Sequence, residues 1–209
     1  MDNALTHRFF QRGAVSLAQA LLGRLLVNTS AEGVTVGRIV ETEAYDQGDP
    51  ASHSYRGPTL RNRTMFGPAG RAYVYRCYGV HWCMNVVAGA LGVGAAVLLR
   101  ALEPIEGHAL MAKRRELSSR HNLLDLARGP GRLSQAMGIT GLHDGGDLVN
   151  GPLCIVDPPD GYRRPLRVAT RRIGISRGSE RLWRFCVVDC PFVSGPRRVM
   201  DRGRRSASQ

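Results

Sequence analysis

Gly37-Arg-Ile-Val-Glu-Thr-Glu-Ala-Tyr45 is the stretch from which the rest of this 209-residue chain can be read. With the β-branched residues before it, the run from Val34 to Ala44 reads as a strand. Side chains two apart on a strand share a face, so Glu41, Glu43 and Tyr45 are expected on one side, together with Ile39. Tyr73-Val-Tyr-Arg-Cys-Tyr78 repeats the pattern and aligns Tyr73, Tyr75 and Cys77. Two charged carboxylates on a buried face are costly, so one is expected to pair with an arginine or a backbone donor. The other is then free to hold a water and take its proton. Two solvated acids on a half-exposed strand fit the same residues, and ordinary sheet aromatics account equally for the tyrosines. Walls against which an extracted base stacks are the second reading of those rings.

Outward from these strands, Ser16 is placed to cap a short helix carrying Leu17, Ala20 and Leu21 and reaching toward Arg24. Asp46 to Thr64 is polar and rich in Gly, Pro and Arg, too charged and irregular to be core. Ala72 to Tyr78 is a strand, Gly79 turns the chain, and His81 to Val87 returns it. Ala95 to Leu102 reads as a buried strand broken by Arg100. Helices are expected over Glu106 to Glu116 and Asn122 to Arg128, with Gly129-Pro-Gly131 interrupting before another from Leu133 to Met137. Cys154 to Val156, Val168 to Ile175 and Leu182 to Val188 complete the strands. This mixture, without regular strand-helix alternation, indicates one α+β domain over residues 1–200 and argues against a Rossmann fold. The basic tail, 201–209, is expected to be disordered.

Lys113 is the only lysine among 29 basic residues, and the formal net charge is +12. Arginine donates two parallel hydrogen bonds to phosphate, so nucleic acid is the first expected partner. Solubility and a high-GC genome explain the same bias. Arg56-Gly-Pro-Thr-Leu-Arg-Asn-Arg63 sets three guanidiniums in a loop near the tyrosines, and a subset of Arg163, Arg164, Arg167, Arg171 and Arg172 is expected on phosphate. The first residues carry no secretory signal and no apolar run approaches a span of roughly 20 residues, so the cytoplasm is the expected location. Five cysteines form no disulfide framework, and the Cys186/Cys190 spacing lacks a second zinc pair. His108, His121 and His143 form no metal triad, and Asp144, Asp147, Asp157 and Asp160 sit among turn residues. No metal and no cofactor is expected.

Val40-Glu-Thr-Glu-Ala-Tyr45, Ser52-His-Ser54, Arg61-Asn-Arg-Thr-Met-Phe66, Tyr73-Val-Tyr75 and Tyr78-Gly79 continue into Cys83-Met-Asn85 and Val97-Leu-Leu-Arg-Ala-Leu-Glu-Pro104. Gly129-Pro-Gly-Arg-Leu133 and Arg172-Ile-Gly-Ile175 follow. In this order and spacing the chain resembles the alkyladenine DNA glycosylase family, also called 3-methyladenine or methylpurine DNA glycosylases. The resemblance implies a curved, mostly antiparallel sheet with peripheral helices. It implies hydrolysis of the N-glycosidic bond of damaged purines flipped from duplex DNA.

Position by position, the resemblance makes Glu43 the general base, with Arg100 near the water and base. Tyr45 and Tyr75 become stacking walls, and His53 packs against the base, its backbone facing the base edge. Asn85 disfavours the amino group of guanine, and the backbones of Ala51 and Ile173 complete the pocket. Tyr78 fills the gap left in the duplex, with Arg56, Arg61 and Arg63 on the DNA; Tyr73 is structural. A glycosylase that also cuts the strand usually attacks with an amine, and Lys113 lies in a solvated Ala112-Lys-Arg-Arg115 run. The expected product is therefore an intact abasic strand, without lyase activity. The expected partner is damaged duplex DNA, with no membrane, no obligate protein partner and a monomeric chain. A noncatalytic damage-binding protein with the same pocket is the alternative, and an enzyme acting on RNA or nucleosides is a third.

Overall fold

Strands β1 (Leu25–Ser30) and β2 (Gly33–Tyr45) form an antiparallel hairpin in the computed structural model, which describes residues 4–195. The 201–209 tail lies outside the described residues. With 13 residues, β2 is much longer than the roughly five or six of an ordinary strand, and it outruns β1. Its far half therefore pairs on that edge with β8 (Arg184–Val187). The other edge is occupied along its length by β5 (Ala96–Glu106). The sheet continues from β5 through β4 (His81–Val87) to β3 (Ala72–Cys77). β6 (Leu153–Val156) flanks β1, and β7 (Arg167–Thr170) flanks β8. All strand pairings among the described residues are antiparallel, giving the expected curved α+β sheet with helices at its periphery.

Helix α1 (His7–Phe10) precedes α2 (Ala14–Leu21), which presents Ala14, Leu17, Ala18 and Leu21 at helical spacing to β2 and β5. Leu17 and Leu21 have no exposed surface, so truncating either costs roughly 2–5 kcal/mol. Three further helices, α3 (His108–Arg114), α4 (Leu124–Ala127) and α5 (Pro130–Ala136), extend the same core. Three local expectations are corrected here. Gly13, not Ser16, occupies the α2 cap, because the helix begins a turn earlier, and Arg24 lies beyond its end. Pro130 and Gly131 open α5 instead of interrupting, as proline fits the first helical turn. β7 stops at Thr170, well short of Ile175.

The phase of β2 also differs from strict alternation. Ile39 pairs with Leu102, Glu41 with Ala101 and Thr42 with Leu99, leaving Val40 extra on β2 and Arg100 extra on β5. Ile39 packs in the main core, whereas Val40 packs with Ala101, Cys186 and Val193 in a second cluster. Beyond the bulge, Thr42 donates its hydroxyl to the Ala18 carbonyl at 2.9 Å and Ala44 joins the main core. Glu41 and Glu43 therefore face away from α2, and Ile39 does not share their side. A bulge inserts one residue and resets the alternation, which the sequence pattern alone does not mark. Among the described residues no helix is long and apolar enough to cross a membrane.

Candidate active site

Alternation on four strands builds a cavity of about 610 Å³. Val74, Met84, Val86, Val97, Leu99 and Ala44 point into the main core. Their neighbours Tyr73, Tyr75, Cys83, Asn85, Leu98, Arg100, Glu43 and Tyr45 line the cavity on the opposite face. The loop after β2 supplies Ala51, His53 and Arg61, and the segment after β7 supplies Ile173. Ala51, His53, Tyr45, Tyr75, Asn85, Ile173, Glu43 and Arg100 thus all line one cavity, to which Tyr78 also contributes.

Glu43 has no exposed surface. Its Oε1 accepts the Ile173 backbone N–H at 2.8 Å. Its Oε2 accepts the Tyr45 hydroxyl at 2.8 Å and Arg100 Nη1 at 3.2 Å. Glu41 is equally buried. Its Oε1 accepts Arg100 Nε at 3.0 Å, Arg184 Nε at 2.6 Å and the Ser194 hydroxyl at 3.0 Å, while Oε2 accepts the Ser194 N–H at 2.6 Å. The expectation that one acid is paired and the other free is corrected: a single guanidinium bridges both. Solvated acids on a half-exposed strand are excluded by their burial. Burial pulls the Arg100 guanidinium down, but Glu43 and Glu41 more than offset it, and the group is held above its ordinary value. Burial, then the charge of Glu43, raises the Tyr45 phenol, which stays protonated as a donor.

Tyr75 and His53 form an edge-to-face pair with ring centroids 4.5 Å apart. His53 Nδ1 lies 2.9 Å from the Tyr73 hydroxyl, so Tyr73 orients the imidazole. Partial burial, followed by the charge of Arg61, lowers the His53 pKa and favours neutral imidazole. Burial pushes the Tyr73 phenol up to about 12. The His53 carbonyl accepts Asn62 Nδ2 at 2.8 Å, which fixes the backbone there. The Ala51 N–H is engaged by Asp49 Oδ1 at 3.1 Å. Asn85 is buried and donates Nδ2 to the Tyr73 carbonyl at 3.1 Å, which fixes its amide against the cavity.

The loop between β2 and β3 is not purely surface, contrary to expectation: Asp49, Ser52, Ser54 and Asn62 are buried. Ser54 donates to the Gly94 carbonyl at 2.7 Å, and a Cβ on Gly94 would lie 2.4 Å from Ser54 Cβ, so this contact requires glycine. Arg172 is likewise corrected. It is buried, donates Nη1 to the Ala44 carbonyl at 2.9 Å and Nη2 to Asp49 Oδ1 at 3.0 Å, and bonds Asp49 Oδ2 as well. Its guanidinium lies 4.6 Å from the Tyr45 ring centroid, backing that wall. Arg163, Arg164, Arg167 and Arg171 remain exposed.

Arg56, Arg61 and Arg63 are exposed; Arg61 lines the cavity, and its Nη2 donates to the Arg76 carbonyl at 3.2 Å. Tyr78 is 91% exposed at the tip of the β3–β4 hairpin. It sits at φ +50° with Gly79 at +70°, and Val80 N–H donates to the Cys77 carbonyl at 3.1 Å. The connection is three residues, Tyr78 to Val80, and its first two are left-handed, a conformation in which tyrosine is strained by roughly 1–2 kcal/mol. A large ring is thus held outward at a conformational cost.

Asp49, Arg184 and Ser194 were not singled out by sequence reading. They are distant in the chain from Arg172 and Glu41 and carry no local motif.

The model of the family described as methylpurine-DNA glycosylase matches residues 8–191. A Methanoculleus marisnigri protein is 50% identical over 188 residues, covering 89% of this chain and 96% of the relative. Proteins of Nitrosospira multiformis and Rubrobacter xylanophilus are 48% and 47% identical over 92% and 90% of this chain, and 94% and 95% of their own lengths. All three bear the name "Putative 3-methyladenine DNA glycosylase". With a sheet, a cavity and a sequence of this kind, the chain belongs to the methylpurine-DNA glycosylase family.

Proposed function

We propose that the protein hydrolyses the N-glycosidic bond of alkylated or otherwise damaged purines flipped out of duplex DNA, leaving an abasic site and an uncut strand. The observation that carries this reading is Glu43 at the cavity wall, bonded to Arg100, Tyr45 and the Ile173 N–H, beside Tyr75 and His53. In this reading the flipped purine stacks against Tyr45 and Tyr75, and Asn85 disfavours an exocyclic amino group. Stacking on these walls offsets part of the cost of unpairing, which is least for a damaged base.

Glu43 takes the proton of a water as that water's oxygen bonds to the sugar C1′. The C1′–N9 bond breaks, and its electron pair leaves with the base. Positive charge growing on the sugar is stabilised by the same carboxylate, in a site where few competing dipoles reorganise. A cationic base such as 7-methylguanine leaves neutral without assistance. A neutral base such as hypoxanthine needs a proton, which water or a substrate contact supplies. Tyr78 occupies the vacated place in the duplex, and Arg56, Arg61 and Arg63 contact phosphate. The catalytic domain spans 1–200 in this reading. No amine is needed, which fits Lys113 at the surface with Glu32 at 3.6 Å.

Duplexes carrying a single 7-methylguanine, hypoxanthine or ethenoadenine test the proposal. Release of free base and an alkali-labile site in an otherwise intact strand is the expected result. Tight capture without release identifies the alternative, a damage-binding protein, a reading to which the complete burial of Glu43 lends some weight.

A further inference from the structure

Glu41 is as deeply buried as Glu43 and does not itself line the cavity, yet it collects four hydrogen bonds, two of them from arginines, one of which is the cavity-lining Arg100. Resting on the reading above, we infer that Glu41 is a positioning residue for the reaction: it neutralises Arg184 and holds Arg100 by Nε, so that Nη1 of Arg100 serves Glu43.

The geometry supports each half of this inference. Arg100 presents Nε to Glu41 at 3.0 Å and Nη1 to Glu43 at 3.2 Å, so the two acids fix the guanidinium plane between them. Arg184 approaches the same Glu41 oxygen at 2.6 Å, and its Nη2 donates to the Ser194 carbonyl at 2.8 Å. Glu41, Glu43, Arg100 and Arg184 balance to zero charge in a region nearly closed to water. The remaining groups around Glu43 are Tyr45 on its own strand, Cys83 on β4 near Arg100, and Arg172 after β7, itself neutralised by Asp49. Without Glu41, two guanidiniums would face Glu43 alone. A carboxylate held by surplus positive charge is a weaker base, and Arg100 would lose the tether that aims it.

The sign of the effect distinguishes this role from simple support of the fold. Glu41→Gln leaves one positive charge unbalanced, so protonating the catalytic carboxylate requires more acid. The acid limb of the single-turnover rate against pH should move down by about one unit or more, and the plateau should fall roughly tenfold to a hundredfold. Arg184→Gln leaves two carboxylates sharing one guanidinium, and its acid limb should move up. Glu41→Gln combined with Arg184→Gln restores the balance and should return the limb toward the wild-type position.

The experiment measures release of 7-methylguanine from a duplex with enzyme in excess, across pH, for wild type and these three variants, with thermal midpoints and duplex affinity alongside. Opposite shifts for the two single variants and recovery in the double support the inference. Lowered midpoints with an unshifted acid limb in all three overturn it. If Glu41→Gln does not fold, the upward shift in Arg184→Gln carries the test alone, and an unmoved limb there overturns it. Failure of the wild-type protein to release base would instead strike the proposed function itself.

Discussion

Replacing Asp49 with alanine removes the carboxylate that both terminal nitrogens of Arg172 bind, in a pair whose side chains have no exposed surface. Burial pulls the Arg172 guanidinium down, and Asp49 more than offsets this, holding it above its ordinary value. Alanine leaves the charge in place with the Ala44 and Gly178 carbonyls as its remaining close acceptors. Deleting one partner of a buried ion pair costs about 3–5 kcal/mol, because the other is stranded away from water. In a chain of this size each kcal/mol lowers the midpoint by about 2–4 °C, so a drop of roughly 6–20 °C is expected. Arg172 also backs Tyr45, and Asp49 anchors the Ala51 N–H, so base release should fall even where the variant remains folded. Urea unfolding gives the free energy, and single-turnover release below the midpoint gives the catalytic effect. Asp49→Asn, which keeps an acceptor oxygen, should fall between. Asp49→Ala with Arg172→Met should cost less than the two single changes added together. A loss below about 1 kcal/mol for Asp49→Ala would refute the view that this pair ties the cavity walls together.

Glu43→Gln should reduce single-turnover release by about a hundredfold or more while leaving damaged-duplex affinity within a few fold, read by gel shift and free-base chromatography. Tyr78→Gly should relieve the left-handed strain and leave the unfolding midpoint unchanged or slightly raised, yet slow base release; a parallel loss of stability and release would remove the wedge reading. His53 should titrate below the ordinary histidine value by NMR, and Arg61→Ala should move it partway back up. Because its folded-state value is depressed, the unfolded chain binds the proton more readily, and stability should decline as pH falls below about 6.5. Replacement of His53 by Asn should flatten that decline.

Strands whose two faces meet different surroundings were legible. Val74, Met84 and Val97 face apolar core while Tyr75, Cys83 and Leu98 face the cavity, and period-two reading captures such a contrast. The same alternation grouped Glu43 with Tyr45 and Tyr75 with Tyr73, whereas Asn85 and Arg100 entered the site only through the family resemblance. The misplacement of Ile39 has a single cause, the bulge at Val40, which depends on the register with β5. β1 escaped notice because Leu25-Leu-Val-Asn-Thr-Ser30 lacks clear alternation. Arg172 and Asp49 looked solvated because each is charged and lies in a glycine-rich or arginine-rich loop. Their burial depends on a partner 123 positions away, which no local window contains. Ser194 carries no signal of its own, since any residue except proline offers its backbone N–H and its hydroxyl looks like any other serine's until Glu41 is placed beside it.

The contact between Ser194 and Glu41 joins positions 153 apart, and Arg128 secures that late segment through the Val193 and Gly195 carbonyls. A nascent chain emerging from the ribosome therefore presents its acidic strand long before the residues that clasp it. Until Arg184 and Ser194 arrive, Glu41 lacks three of the four donors that surround it in the folded chain. A chain that stopped before Arg184 would carry its acidic strand without the late residues that close over it.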